Sequence, residues 1–146
     1  MPDPHTLYRD TLLDHGKAPR NHAPLAGATH TATVDNPVCG DRILVELTID
    51  GEHVRDARFT IKGCLIATAS ASLMTEAVTG HPLAEIRRLC AEVEATCDGA
   101  SAPDADMMGA LGALGALAAV REYPARRRCA TLPWVALRQA LGQGQV

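Results

Sequence analysis

The sequence predicts an α+β domain, with helices packed on one face of an antiparallel sheet. Two observations carry this expectation. Three strand-like segments come first, and beyond Gly63 the apolar period becomes helical and stays so. No stretch has the composition of a linker, and 146 residues can bury roughly two thirds of the chain surface without disulfides. A single domain over residues 1–146 is therefore expected.

HTLYRDTLLDH (5–15) places Leu7, Leu12 and Leu13 near helical spacing, with Gly16 as a stop. Residues 17–27 carry two prolines and read as loop. The three strand-like segments are ATHTATV (28–34), RILVELTID (42–50) and HVRDARFTI (53–61). In the second, Ile43, Val45, Leu47 and Ile49 alternate with more polar residues, the period of a half-buried strand. Asp50-Gly51 then supplies a hairpin turn. A helix over 64–79 puts Ile66, Ala69, Leu73 and Ala77 on one face and stops at Gly80 and Pro82. The next, over about 82–97, has the apolar stripe Leu83, Ile86, Cys90, Val93 and Cys97. A further helix is expected over about 104–121, ended by Pro124. It contains the repeat MMGALGALGALAAV, whose interior glycines cost roughly 1 kcal/mol each and so imply close packing on a small face. The last helix should begin between Cys129 and Pro133 and run to Leu141, because proline is tolerated only in a first turn.

Composition removes several classes of function. A formal net charge of −3 gives no general attraction to nucleic acid or to an anionic membrane. Trp134, Tyr8, Tyr123 and Phe59 are the only aromatic residues, too few for base stacking along a strand. MPDPHTLYRD has neither a basic start nor an apolar run, and no window reaches the length of a membrane span. A cytoplasmic protein with reduced thiols is expected, so an odd set of five cysteines points to metal or catalysis before disulfides.

Cys90 and Cys97 sit on the apolar stripe, where reduced cysteine behaves as a small hydrophobe. Cys39, Cys64 and Cys129 instead fall at junctions: a strand-to-strand loop, a strand-to-helix turn and the start of the last helix. Near a helix N-terminus a thiol is stabilised as thiolate, the form that binds metal and attacks sulfur. In NPVCGDR (36–42), Pro37 restricts the chain and Gly40 permits a tight turn, so Cys39 and Asp41 could aim at one point. Cys39, Cys64 and Cys129 with Asp41 would complete the tetrahedral set that zinc prefers. Spacing leaves the alternative open, since 24 and 64 residues separate the cysteines and three unrelated buried thiols fit equally.

Three motifs go further. NPVCGD (36–41), GCLIATASASLMTE (63–76) and RRRCATLPWVAL (126–137), in that order, resemble the SufU branch of the SufU/IscU/NifU N-terminal family of iron–sulfur cluster assembly proteins. The resemblance spans nearly the whole chain. It implies a three-stranded antiparallel sheet packed with helices, and metal ligands at Cys39, Asp41, Cys64 and Cys129. It also implies zinc, a cysteine desulfurase of the SufS type as sulfur donor, and downstream SUF assembly components as recipients. Arg128 stands where IscU-type scaffolds have a histidine, and REYPARRR lacks their Leu-Pro-Pro-Val-Lys segment. Both departures favour a sulfur carrier over a scaffold for a transient [2Fe–2S] cluster. A non-catalytic module with structural zinc is the third reading.

Four anionic donors exceed the double charge of zinc, and Arg128, always protonated, could offset part of the excess or dock an acidic partner. A solvated basic face is the plainer reading of Arg126–Arg128. Cys39, in a loop beside Gly40, is expected to be the sulfur acceptor. His5, His15, His22, His30, His53 and His81 lie outside the motifs and read as surface or loop. Ser70 and Ser72 read as small packing or hydrogen-bonding residues, without the partners of a nucleophilic serine.

Overall fold

The computed structural model describes residues 4–36, 40–98 and 124–142. Along the chain run α1 (Pro4–Lys17), β1 (His30–Asn36), β2 (Asp41–Asp50), β3 (His53–Lys62), α2 (Leu65–Val78), α3 (Leu83–Asp98) and α4 (Pro124–Gly142). The helix expected over about 104–121, with its Gly-Ala-Leu repeat, lies outside the described residues.

The strands form an antiparallel sheet in the order β1-β2-β3. Alternation in β2 sets its faces: Ile43, Val45 and Leu47 are wholly buried. Opposite them, Ile61 pairs with Ile43 and Phe59 with Val45. The hairpin turn has Gly51 at φ +63°, left-handed backbone that glycine adopts without a Cβ clash. On the inner face α4 packs against β1 and β2, and α2 against β3. The α+β expectation holds.

α2 is enclosed by α1, α4 and β3. Its buried set is therefore not the single stripe expected: Ala67, every residue from Ala69 to Thr75, and Val78 are buried, while Ile66 and Ala77 are only half-buried. Alanines and serines make that enclosure sterically feasible. Gly16 does not end α1 but lies within it. A Cβ there would come within 2.5 Å of Leu65 Cγ, so the glycine permits close approach of α1 to the start of α2.

α3 keeps its stripe, with Ile86, Cys90, Val93 and Cys97 buried. Burial, reinforced by nearby Glu94, pushes the Cys90 thiol up to about 12, so it remains a neutral hydrophobe.

The last helix corrects the sequence reading. α4 starts at Pro124, so Cys129 lies in its second turn and Pro133 in its interior. Pro124 fits the first position because the missing N–H is unpaired there in any helix. Pro133 offers no N–H to the carbonyl of Cys129, four residues earlier. Its burial within the packed helix layer offsets that loss.

Among the histidines, His15 is a second correction: it is 7% exposed and points inward. Its Nδ1 and the Ser72 hydroxyl share a 2.7 Å hydrogen bond, and the Arg20 N–H donates to the same hydroxyl at 2.9 Å. The signal was present in the serine at 72, since a polar atom in an enclosed helix needs a partner.

Candidate metal centre

Two junctions of the fold and the second turn of α4 converge at one corner. At the first, β1 ends at Asn36 and β2 starts at Asp41, which are partners in the register. The Gly40 N–H donates to the Asn36 carbonyl at 2.8 Å, and Gly40 has φ +77°. The tight turn expected of Gly40 is thus present. Cys39, with Pro37 and Val38, lies outside the described residues.

Asp41 begins β2 on its inner side and is 7% exposed. Among the described residues, its Oδ2 is buried without a hydrogen-bond partner. A lone carboxylate oxygen withdrawn from water is costly unless a cation or donor meets it. Gly63, at the second junction, makes room for this group. A Cβ at Gly63 would stand 3.0 Å from Asp41 Cγ and 3.2 Å from Oδ1.

Cys64 follows as the N-cap of α2, with extended backbone at φ −75° and ψ 169°. Its sulfur accepts the Ala67 N–H at 3.4 Å, the role usually filled by a serine, threonine or aspartate oxygen. The Cys64 carbonyl accepts both the N–H and the hydroxyl of Thr68, each at 3.0 Å. These bonds fix where the thiol stands.

Cys129 comes from α4 and is 3% exposed. One ligand atom each from Asp41, Cys64 and Cys129 lie within 4.8 Å of one another. A tetrahedral zinc site with Zn–S near 2.3 Å and Zn–O near 2.1 Å has edges of about 3.6 Å. The donors therefore need to close by little more than about 1 Å. Two sulfurs and one carboxylate, with an oxygen that is buried and unmatched among the described residues, fit a divalent cation.

The structure thus gathers three of the four residues expected to bind metal. No histidine belongs to the group among the described residues. Arg128 is exposed beside buried Cys129, as expected of successive residues on a helix, and Arg127 is half-buried. Cys129 owes nothing to a helix N-terminus, which leaves Cys64 as the one described thiol so placed. Sequence reasoning missed the contact of Gly63 with Asp41. The only hint was a glycine directly before a junction cysteine. No helix among the described residues is long and apolar enough to cross a membrane.

Comparison with known proteins identifies the family. The NifU-like N-terminal domain family matches residues 7–130. The chain is 38% identical over 138 residues to the zinc-dependent sulfurtransferase SufU of Bacillus subtilis, covering 94% of this chain and 91% of that protein. It is 36% identical over 135 residues to the iron–sulfur cluster assembly scaffold protein IscU of Streptococcus pyogenes, covering 92% and 82%. The crystal structure of FiSufU from Fervidobacterium islandicum superposes with a TM-score of 0.83 at 28% identity, covering 95% of this chain and 99% of that one. The resemblance read from the three motifs is borne out, and the chain belongs to the NifU-like N-terminal domain family of iron–sulfur cluster assembly proteins.

Proposed function

We propose that this chain, acting as a single cytoplasmic domain, is a zinc-bound acceptor and carrier of persulfide sulfur. It would take sulfur from a cysteine desulfurase of the SufS type and deliver it to downstream SUF components. The observation that carries this reading is the cluster of Asp41, Cys64 and Cys129 around a buried, unmatched carboxylate oxygen. Similarity to the Bacillus subtilis sulfurtransferase supports zinc as the metal.

Cys39, Asp41, Cys64 and Cys129 would hold the metal. Zinc keeps thiols ionised and nucleophilic while undergoing no redox change itself. Asp41, Cys64 and Cys129 come from the start of a strand and from two packed helices, and retain the metal. Cys39 stands in the connection between two strands, next to Gly40, and is the acceptor. Its thiolate attacks the outer sulfur of the donor persulfide. A new S–S bond forms at Cys39, the donor S–S bond breaks, and the donor cysteine leaves as thiolate, so no external oxidant or reductant is required. Arg128, exposed beside Cys129, offsets the excess negative charge or meets an acidic partner surface.

The test is persulfide trapping by mass spectrometry after incubation with desulfurase and cysteine. Cys39 should carry the added sulfur, and Cys39→Ser should abolish acceptance while keeping much of the zinc. Cys64→Ser and Cys129→Ser should lose zinc. A persulfide on Cys64 or Cys129, with Cys39 unmodified throughout, overturns the assignment. Similarity to IscU favours a second reading, a scaffold for a [2Fe–2S] cluster on the same residues. Colour separates the two: zinc protein is colourless, whereas iron with sulfide in anaerobic preparations establishes the scaffold.

A further inference from the structure

α2 carries several hydroxyls, and they are used in different ways. Thr68 donates to the Cys64 carbonyl, Thr75 to the Ser72 carbonyl and Thr79 to the Thr75 carbonyl, all along their own helix. That back-bonding is the usual behaviour of a helical hydroxyl. Ser70 departs from it. Wholly buried, its hydroxyl donates to the Ala130 carbonyl of α4 at 2.5 Å and accepts the Trp134 indole N–H at 3.1 Å. A serine has one proton to give, and here it is given to the residue next to Cys129.

The location of this tie matters. Ser70 lies six residues beyond Cys64, about 9 Å along α2 at 1.5 Å per residue. Ala130 and Trp134 bracket Pro133, which cannot supply the N–H that the Cys129 carbonyl would receive in a regular helix. Ala130, in the turn of α4 that carries Cys129, is held from outside by α2. Cys64 and Cys129, whose sulfurs must lie a few ångströms apart, are on the two helices that Ser70 joins.

We propose that Ser70, with Trp134 as its second partner, is a positioning residue that sets Cys129 opposite Cys64. It acts through the Ala130 carbonyl. An alanine at 70, like its neighbours Ala69 and Ala71, would keep the small helix face but leave the indole N–H and the Ala130 carbonyl without the hydroxyl. The inference rests on the metal-centre reading for its zinc readout alone. Its geometric content is the approach of two thiols, which can be measured without metal.

The experiment compares full-length wild type, Ser70→Ala, Ser70→Thr and Trp134→Phe by two measurements. One is zinc affinity by competition with a chromophoric chelator. The other, in metal-free protein on a Cys39→Ser background, is the rate at which a trivalent arsenical captures Cys64 and Cys129 together. Ser70→Ala should weaken zinc binding by about tenfold, the lower end for groups that orient metal ligands from outside. It should slow dithiol capture by a similar factor at urea concentrations where the protein is fully folded. Ser70→Thr, which restores the hydroxyl, should recover both, and Trp134→Phe should fall between. If Ser70→Ala lowers the urea midpoint yet binds zinc and captures arsenical like wild type, the role is structural only and the proposal is overturned. Should Ser70→Ala fail to fold, Trp134→Phe decides by the same two measurements. If wild type takes up no zinc, the metal reading fails, and arsenical capture still decides for Ser70.

Discussion

Cys129, at the candidate metal corner, and Cys90 and Cys97, on the stripe of α3, are all buried, and burial does not tell them apart. Cys129 is 3% exposed, Cys90 is 1% and Cys97 is 0%. Their neighbours differ. Around Cys90 the company is Ile86, Val93 and Cys97 along a helical stripe, and burial holds its thiol protonated. Beside Cys129 stand a second sulfur and a carboxylate with an unmatched oxygen. An apolar shell stabilises a thiol as a hydrophobe, whereas a cluster of anionic donors is tolerable only with a cation among them. Chemistry therefore follows the surroundings of the sulfur, not its depth.

The sharpest way to break this contrast is to disturb the carboxylate without touching a donor. Gly63→Ala does so. Gly63 is not in left-handed backbone, so alanine brings no φ penalty and only its Cβ intrudes, 3.0 Å from Asp41 Cγ. Asp41 must shift, and zinc affinity should fall by about tenfold or more, as when a group supporting a ligand is lost. Chelator competition measures it, with circular dichroism to confirm an intact fold. Wild-type affinity in this variant would show that Asp41 is not a ligand.

The other side of the contrast gives a smaller effect of a different kind. Cys90→Ala and Cys97→Ala should each lower stability by about 1 kcal/mol, typical of a modest truncation in a core, and leave zinc content unchanged. Urea denaturation and metal analysis read the two quantities separately. Zinc loss from either variant would mean the wrong cysteines had been assigned.

The stripe of α3 was legible in the sequence because its five apolar positions face one way. So was the inward face of β2, because a period of two has only two phases and Ile43, Val45 and Leu47 choose one. Glycines at 40 and 63 mark the junctions, but spacing left three unrelated thiols open, and only the motif resemblance grouped Asp41 with Cys64 and Cys129. α4 was misread for a physical reason. Local rules place Pro133 in a first turn, but its packing within the helix layer outweighs one missing hydrogen bond and sets the start nine residues earlier, at Pro124. α2 was misread because a helix enclosed on several sides has no single apolar face to find. The tie of Ser70 to Ala130 joins positions 60 apart in the chain, and no periodicity reports such a pair.

The smallest effect concerns a buried group that, unlike Asp41 Oδ2, has its partners. His15 meets the Ser72 hydroxyl through Nδ1, and its Nε2 lies 3.7 Å from Glu76 Oε1. Burial pushes its pKa below the ordinary 6.5, and the Arg20 guanidinium adds to that, while Glu76 and Asp14 pull the other way more weakly. As pH falls through 6.5 the unfolded chain takes up a proton that the folded chain still refuses. The unfolded state then binds more protons, so the stability His15 contributes is full above 6.5 and is lost progressively below it, towards the folded value. His15→Asn places an amide nitrogen or oxygen near Nδ1 to bond Ser72 without titrating. Between about pH 7 and about pH 5.5 the urea midpoint of wild type should therefore fall more than that of His15→Asn. Zinc-free protein must be used for both, because acid also competes with metal for thiolates. Parallel curves for the two proteins would mean that His15 takes up its proton as readily in the folded chain as in the unfolded one.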